Sequence, residues 1–195
     1  MKTKKDFVVA LDFDGCIALG HKAKIKYAKI LHQLDIDPSQ TLKQTYPLGE
    51  KKYVELVRYI NIDRIMEYEL DHGCVPVLRN LAKKGVHFII VSSRTKEEIH
   101  AVKKFVKHHK LHIKDSHATL LEPKRKVCLD MHARALLEDC LYKLEPLEHD
   151  PLELFFFRRP WNRHEKLKKG TRVKELHTWG EFEKEIEQML KSMEK

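Results

Sequence analysis

Apolar residues gather in short unbroken runs along the chain, at 7–13, 86–92, 118–121, 135–138 and 152–157. Runs of this length without alternation, rich in β-branched and aromatic residues, predict strands buried on both faces. Between the second and third runs the period changes. Ile99, Val102, Phe105 and Val106 fall on one face of a helix, and Thr95 and Glu98 have capping-box spacing at its start. Near the C-terminus, 173–176 predicts a short edge strand and Thr178-Trp179-Gly180-Glu181 a second capping box. Phe182, Ile186, Met189, Leu190 and Met193 then form the apolar stripe of a last helix. Strands alternating with helices predict an α/β fold, a Rossmann-like three-layer arrangement around a parallel sheet.

One stretch departs from this alternation. From about Ala18 to Cys74 the pattern is helical, with Tyr27, Ile30, Leu31 and Leu34 followed by Tyr53, Val54, Leu56, Val57, Tyr59 and Ile60, and it is broken at Pro38 and at 47–49. Because it follows the first strand directly, it emerges at the carboxyl end of the sheet, where open α/β folds bind ligands. It predicts a small helical cap at residues 18–74, inserted into a core of residues 1–17 and 75–195.

Composition narrows the setting. The 195 residues suffice for one buried α/β domain with an insertion, and no apolar run approaches a membrane span. Cys16, Cys74, Cys128 and Cys140 show no metal-ligand spacing and predict buried thiols. With Asp12 closing off any signal-peptide core, they point to the cytoplasm. The formal charge of +9 suits an anionic substrate, and equally a solvated surface.

The chemistry concentrates where the first apolar run ends. VVALDFDG places Asp12 and Asp14 one residue apart, followed by Gly15. Two carboxylates this close repel unless a cation joins them. Alternate strand positions face the same way, so a turn starting at Asp14 re-aims the second acid, and Gly15 permits that turn. A hard divalent cation with oxygen ligands, such as Mg²⁺, relieves the repulsion.

Asp12-Phe13-Asp14-Gly15 resembles the first motif of the haloacid dehalogenase (HAD) superfamily of phosphotransferases, and further motifs follow in order. HFIIVSSR offers Ser92, then Ser93 and Arg94. EPKRKVCLD offers Lys126, with Lys124 as the competing register. ARALLEDCLYKL offers Glu138 and Asp139. The resemblance implies a HAD-like fold in which Asp12 is the nucleophile and Asp14 the general acid and base. It also implies Ser92, Ser93 and Lys126 on the phosphate, and Mg²⁺ held by Asp12, the Asp14 main chain and Asp139. Cys140 departs from the acid or serine common in relatives, which leaves open whether Glu138 joins the metal.

An apolar strand followed by Arg158-Arg159-Pro160-Trp161-Asn162-Arg163 resembles the 5′(3′)-deoxyribonucleotidase branch. This implies a Mg²⁺-dependent phosphomonoesterase acting on nucleotides, with Tyr27, Tyr46 or Tyr53 of the cap available to stack on a base. The alternatives are a phosphatase for sugar phosphates or a nucleic-acid end, and a catalytically silent binding module. The oligomeric state stays open.

Overall fold

The computed structural model describes residues 7–120 and 123–193. Its sheet has six strands in the order β5-β4-β1-β6-β7-β8, every pair parallel. The central strand β1 (Phe7–Leu11) is buried throughout. Phe7, Val9 and Leu11 join one core layer while Val8 and Ala10 join the other, as the twofold side-chain period requires.

After β1, a two-residue strand β2 (Ala18–Leu19) leads into α1 (His21–His32) and α2 (Gly49–Asp63), and the chain returns through β3 (Glu69–Leu70). β2 and β3 pair antiparallel at the foot of the insertion, a ribbon too short for hydrophobic patterning to reveal. The core resumes with α3 (Cys74–Lys83), β4 (Val86–Ser92) and α4 (Lys96–His108). The Thr95 hydroxyl accepts from the Glu98 amide at 3.2 Å, and the Glu98 carboxylate accepts from the Thr95 amide at 2.7 Å, completing the predicted box.

β5 (Asp115–Ala118) lies earlier than the predicted 118–121. It pairs with Ile89–Ser92 through a mostly polar DSHA segment at the sheet edge, where one flank faces solvent and no apolar run is needed. Leu121 of the predicted strand lies outside the described residues. α5 (Arg125–Asp130), β6 (Ala133–Glu138), α6 (Leu141–Leu144), β7 (Glu153–Phe157), β8 (Lys174–Leu176) and α7 (Trp179–Met193) complete the chain. Thr178 caps α7 by accepting from the Glu181 amide. Cys16, Cys74 and Cys128 are buried thiols and Cys140 is half-buried; all four are unpaired. Among the described residues no helix is long and apolar enough to cross a membrane.

Candidate active site

Three strand ends converge at the carboxyl edge of the sheet. β1 delivers Asp12 through Gly15, β4 delivers Ser92 through Arg94, and β6, paired with β1 through Leu11 and Leu137, delivers Glu138 and Asp139. Asp12, Ser92, Arg94, Glu138 and Asp139 are all buried, and Ser93 and Asp14 are half-buried.

Two ammonium groups meet the Asp12 carboxylate. Lys124 Nζ lies 2.8 Å from Asp12 Oδ1 and 2.5 Å from Glu138 Oε2. Lys143 Nζ lies 3.6 Å from Asp12 Oδ2 and 3.4 Å from Glu138 Oε1. Burial alone would raise the Asp12 pKa, but Lys124 and then Lys143 reverse that and hold it below the usual carboxylate range. Glu138 moves the other way, raised by burial and by Asp12. Asp12 is thus kept ionised while its neighbours Glu138 and Asp139 are pushed up by burial and by Asp12.

Of the two candidate lysines, it is Lys124 and not the expected Lys126 that lies against the acids. Lys126 stands exposed on α5, ion-paired to Asp130 at 2.5 Å, while Lys124 immediately before the helix is buried against Asp12. The two are half a helical turn apart, so only one can face inward.

Asp14 is turned towards Arg94, whose Nη2 donates to Asp14 Oδ1 at 2.9 Å and whose Nε donates to Oδ2 at 3.1 Å. The Arg94 guanidinium lies over Phe13, 5.1 Å from the ring centroid, and near Tyr68 of the insertion at 5.8 Å. Tyr68 Oη donates to Asn61 Oδ1 at 2.6 Å, and Asn61 Nδ2 donates to Glu98 at 2.8 Å, tying the insertion to α4.

Asp139 is held from the far side. Trp161 Nε1 donates to its Oδ2 at 2.7 Å, and Asn162 Nδ2 donates to its main-chain oxygen at 2.8 Å. The 160–162 turn therefore serves the acid loop. Arg159 adds a clamp on the chain leaving β1, donating to the Gly15 and Cys16 carbonyls at 2.6 and 3.2 Å and pairing with Asp71 at 2.5 Å.

Among the described residues, the one group of three His, Cys, Asp or Glu ligand atoms gathered within 4.8 Å is Glu138, Asp139 and Cys140. Glu138 is committed to Lys124 and to the Asp139 and Cys140 amides, and burial with nearby Asp139 pushes the Cys140 thiol well up, so it stays protonated. Gly15 nevertheless leaves a cradle against Asp139. A Cβ there would fall 1.9 Å from Asp139 Oδ2, and its φ of +75° suits glycine. The carboxylates of Asp12 and Asp139 and the main-chain carbonyls beside them are hard oxygen donors, the chemistry that Mg²⁺ takes.

Sequence reasoning missed Lys143, the Arg94–Asp14 pair and the Trp161 donor. Lys143 reaches Asp12 and Glu138 from the short helix α6 that follows the acid loop, a placement no local spacing rule encodes.

No protein-family model and no curated sequence matches the chain. Solved structures share its fold. A predicted phosphatase from Clostridium acetobutylicum superposes with a TM-score of 0.70 at 16% identity, covering 93% of this chain and 98% of that one. A HAD family hydrolase from Deinococcus radiodurans with bound phosphate and sodium gives 0.61 at 14%, covering 91% and 93%. A HAD-superfamily hydrolase of subfamily IA from Geobacter sulfurreducens gives 0.61 at 14%, covering 90% and 94%. The parallel sheet with flanking helices is the fold of HAD hydrolases.

Proposed function

We propose, from the HAD hydrolase fold and the acids at its sheet edge, that the protein is a Mg²⁺-dependent phosphomonoesterase acting on small phosphate esters. The observation that carries this is Asp12, buried at the end of the central strand and held ionised between Lys124 and Lys143. An Asp12 oxygen attacks phosphorus, the ester P–O bond breaks, and an aspartyl phosphate forms. Asp14, once released from Arg94 and having taken up a proton from solvent, gives that proton to the departing oxygen. It then takes one from the water that hydrolyses the acyl phosphate and regenerates Asp12. Lys124 and Ser92 hold phosphoryl oxygens, with Ser93 beside them. Mg²⁺ would be held by Asp12, the Asp14 carbonyl and Asp139, and when bound it supplies charge neutralisation as phosphate approaches the acids.

The nucleotide reading rests on the sequence resemblance. Of the three tyrosines expected to stack on a base, Tyr27 and Tyr46 are buried within the insertion and Tyr53 is half-buried. The nucleic-acid-end reading gains little from the basic surface. A hollow of roughly 300 Å³ lined by Lys103, Lys107, Lys110 and Lys114 lies where the chain enters β5, at the sheet edge opposite Asp12.

The test is a panel of nucleoside monophosphates, sugar phosphates and phospho-acids, assayed with Mg²⁺ and with chelator. Metal-dependent phosphate release that Asp12→Asn abolishes supports the reading. Release by the Asp12→Asn variant at the parental rate overturns it, and silence on every ester favours the binding-module alternative.

A further inference from the structure

Positive charge is unevenly spread along the chain. Between Ile99 and Lys114 stand five lysines and four histidines, with no aspartate or glutamate. The acids of α4, Glu97 and Glu98, lie in its first turn, at the other end of the helix. Lys103, Lys107, Lys110 and Lys114 are all exposed, and they line one hollow of about 300 Å³ between the end of α4 and the start of β5. Buried Leu111 and half-buried Val106 and Ile113 form its apolar floor.

A turn in the backbone builds this hollow. Lys110 takes the left-handed conformation that ends α4 (φ +51°), and the Leu111 amide donates back to the Val106 carbonyl at 3.1 Å. The chain then runs into β5, with the Lys114 amide donating to the Phe88 carbonyl at 2.7 Å. Phe88 lies near the start of β4, so the hollow sits towards the amino end of the sheet, away from the end that holds Asp12.

Four lysines meet one acid there. Asp115 sets its Oδ1 3.0 Å from Lys103 Nζ and its Oδ2 3.5 Å from His117 Nε2. Among the described residues no carboxylate lies within ion-pair distance of Lys107 or Lys110. The partial negative charge at the end of α4 favours cations at 107 and 110. It does not account for Lys103, more than a turn earlier, or for Lys114 on the segment entering β5.

The make-up of this surface selects its partner. Between 99 and 114 there is no arginine and no exposed Phe, Tyr or Trp. Lysines alone meet phosphates as point charges and leave bases unread, and a single strand would find no ring to stack on. None of the exposed large apolar side chains falls in this stretch, so a protein partner would find no anchor. A flat membrane does not fill a concave surface, whereas the phosphate ridge of a duplex does. We infer that the hollow between α4 and β5 is a docking surface for the phosphate backbone of a nucleic-acid duplex, bound without regard to sequence. It is separate from the Asp12 site and independent of the phosphomonoesterase reading.

The test is fluorescence anisotropy of a labelled DNA duplex of about 20 bp, titrated with the full chain over a series of salt concentrations. The single strand of the same sequence and phosphatidylserine vesicles are the competitors. Lys107→Ala/Lys110→Ala is compared with Lys107→Arg/Lys110→Arg and with Lys166→Ala/Lys169→Ala, which removes the same charge from another exposed stretch. The expected result is duplex binding whose log–log salt slope falls by about 2 in Lys107→Ala/Lys110→Ala, with affinity down about tenfold or more. The arginine pair should bind like the parent, and so should Lys166→Ala/Lys169→Ala. An unchanged Tm for each variant shows that the loss is not one of folding. Equal losses in the two alanine pairs would make the attraction one of overall charge and overturn the docking surface. So would the absence of duplex binding, or stronger competition by the single strand or the vesicles than by unlabelled duplex.

Discussion

Lys143 sets its ammonium 3.6 Å from Asp12 Oδ2, opposite the oxygen that Lys124 occupies. The acid cluster therefore has an internal counter-ion on Asp12, and under the proposed function a Mg²⁺ ion held by Asp12 would compete with it. Replacing Lys143 by Met should tighten Mg²⁺ binding about tenfold by calorimetry, because one repelling charge is gone. In chelator the same variant should lose roughly 1–3 kcal/mol, less than for a fully buried partner because the lysine is partly exposed. An unchanged Mg²⁺ affinity would show that Lys143 is not in competition.

The two lysines of the EPKRK segment should behave oppositely. Lys124→Met removes the buried partner of both Asp12 and Glu138 and should lower kcat at least about a hundredfold, as loss of a group stabilising phosphoryl charge does. Lys126→Ala removes an exposed pair with Asp130 and should shift stability by no more than about 0.5 kcal/mol, with kcat unaltered. Steady-state kinetics and chemical denaturation of the two variants check this.

Gly15 is the position least able to accept a side chain. Its φ is +75°, and a Cβ would sit 1.9 Å from Asp139 Oδ2. Gly15→Ala should cost about 1–3 kcal/mol in strain and push Asp139 off its Trp161 donor. The expected signature is weakened Mg²⁺ binding measured on protein that still folds. Metal binding at the parental strength would place Asp139 outside the metal site.

Asp12 also gives a pH signature. Its folded pKa lies below the reference value of 3.8, so its ionised form adds stability above that pH, and the contribution is lost as pH falls through the folded pKa. Asp12→Asn mimics the neutral acid. It should be less stable than the parent near pH 7, and the gap should close as the pH falls towards and below 3.8, read as the difference in Tm. A variant more stable than the parent at neutral pH would mean that repulsion from Glu138 and Asp139 outweighs the lysines.

Much of the architecture could be read from the chain because buried parallel strands are continuous apolar runs, and β1, β4, β6 and β7 are of that kind. β5 escaped because an edge strand such as DSHA needs no apolar run, and the β2–β3 ribbon because two residues carry no period. At the site, Asp12, Ser92, Glu138 and Asp139 were legible as strand-end residues. The choice of Lys124 over Lys126 was not, since it depends on how a six-residue helix is rotated about its axis. The pairing of Arg94 with Asp14 and of Trp161 with Asp139 are long-range contacts that no local pattern encodes.

The most direct test of Asp12 as nucleophile is to quench the Mg²⁺-loaded protein with acid during turnover of a phosphate ester and map the phosphoryl group by peptide mass spectrometry. A phosphoryl group on the Asp12 side chain, absent from Asp12→Asn, is the predicted result. Turnover with the phosphoryl group on another residue, or undiminished in Asp12→Asn, would contradict it.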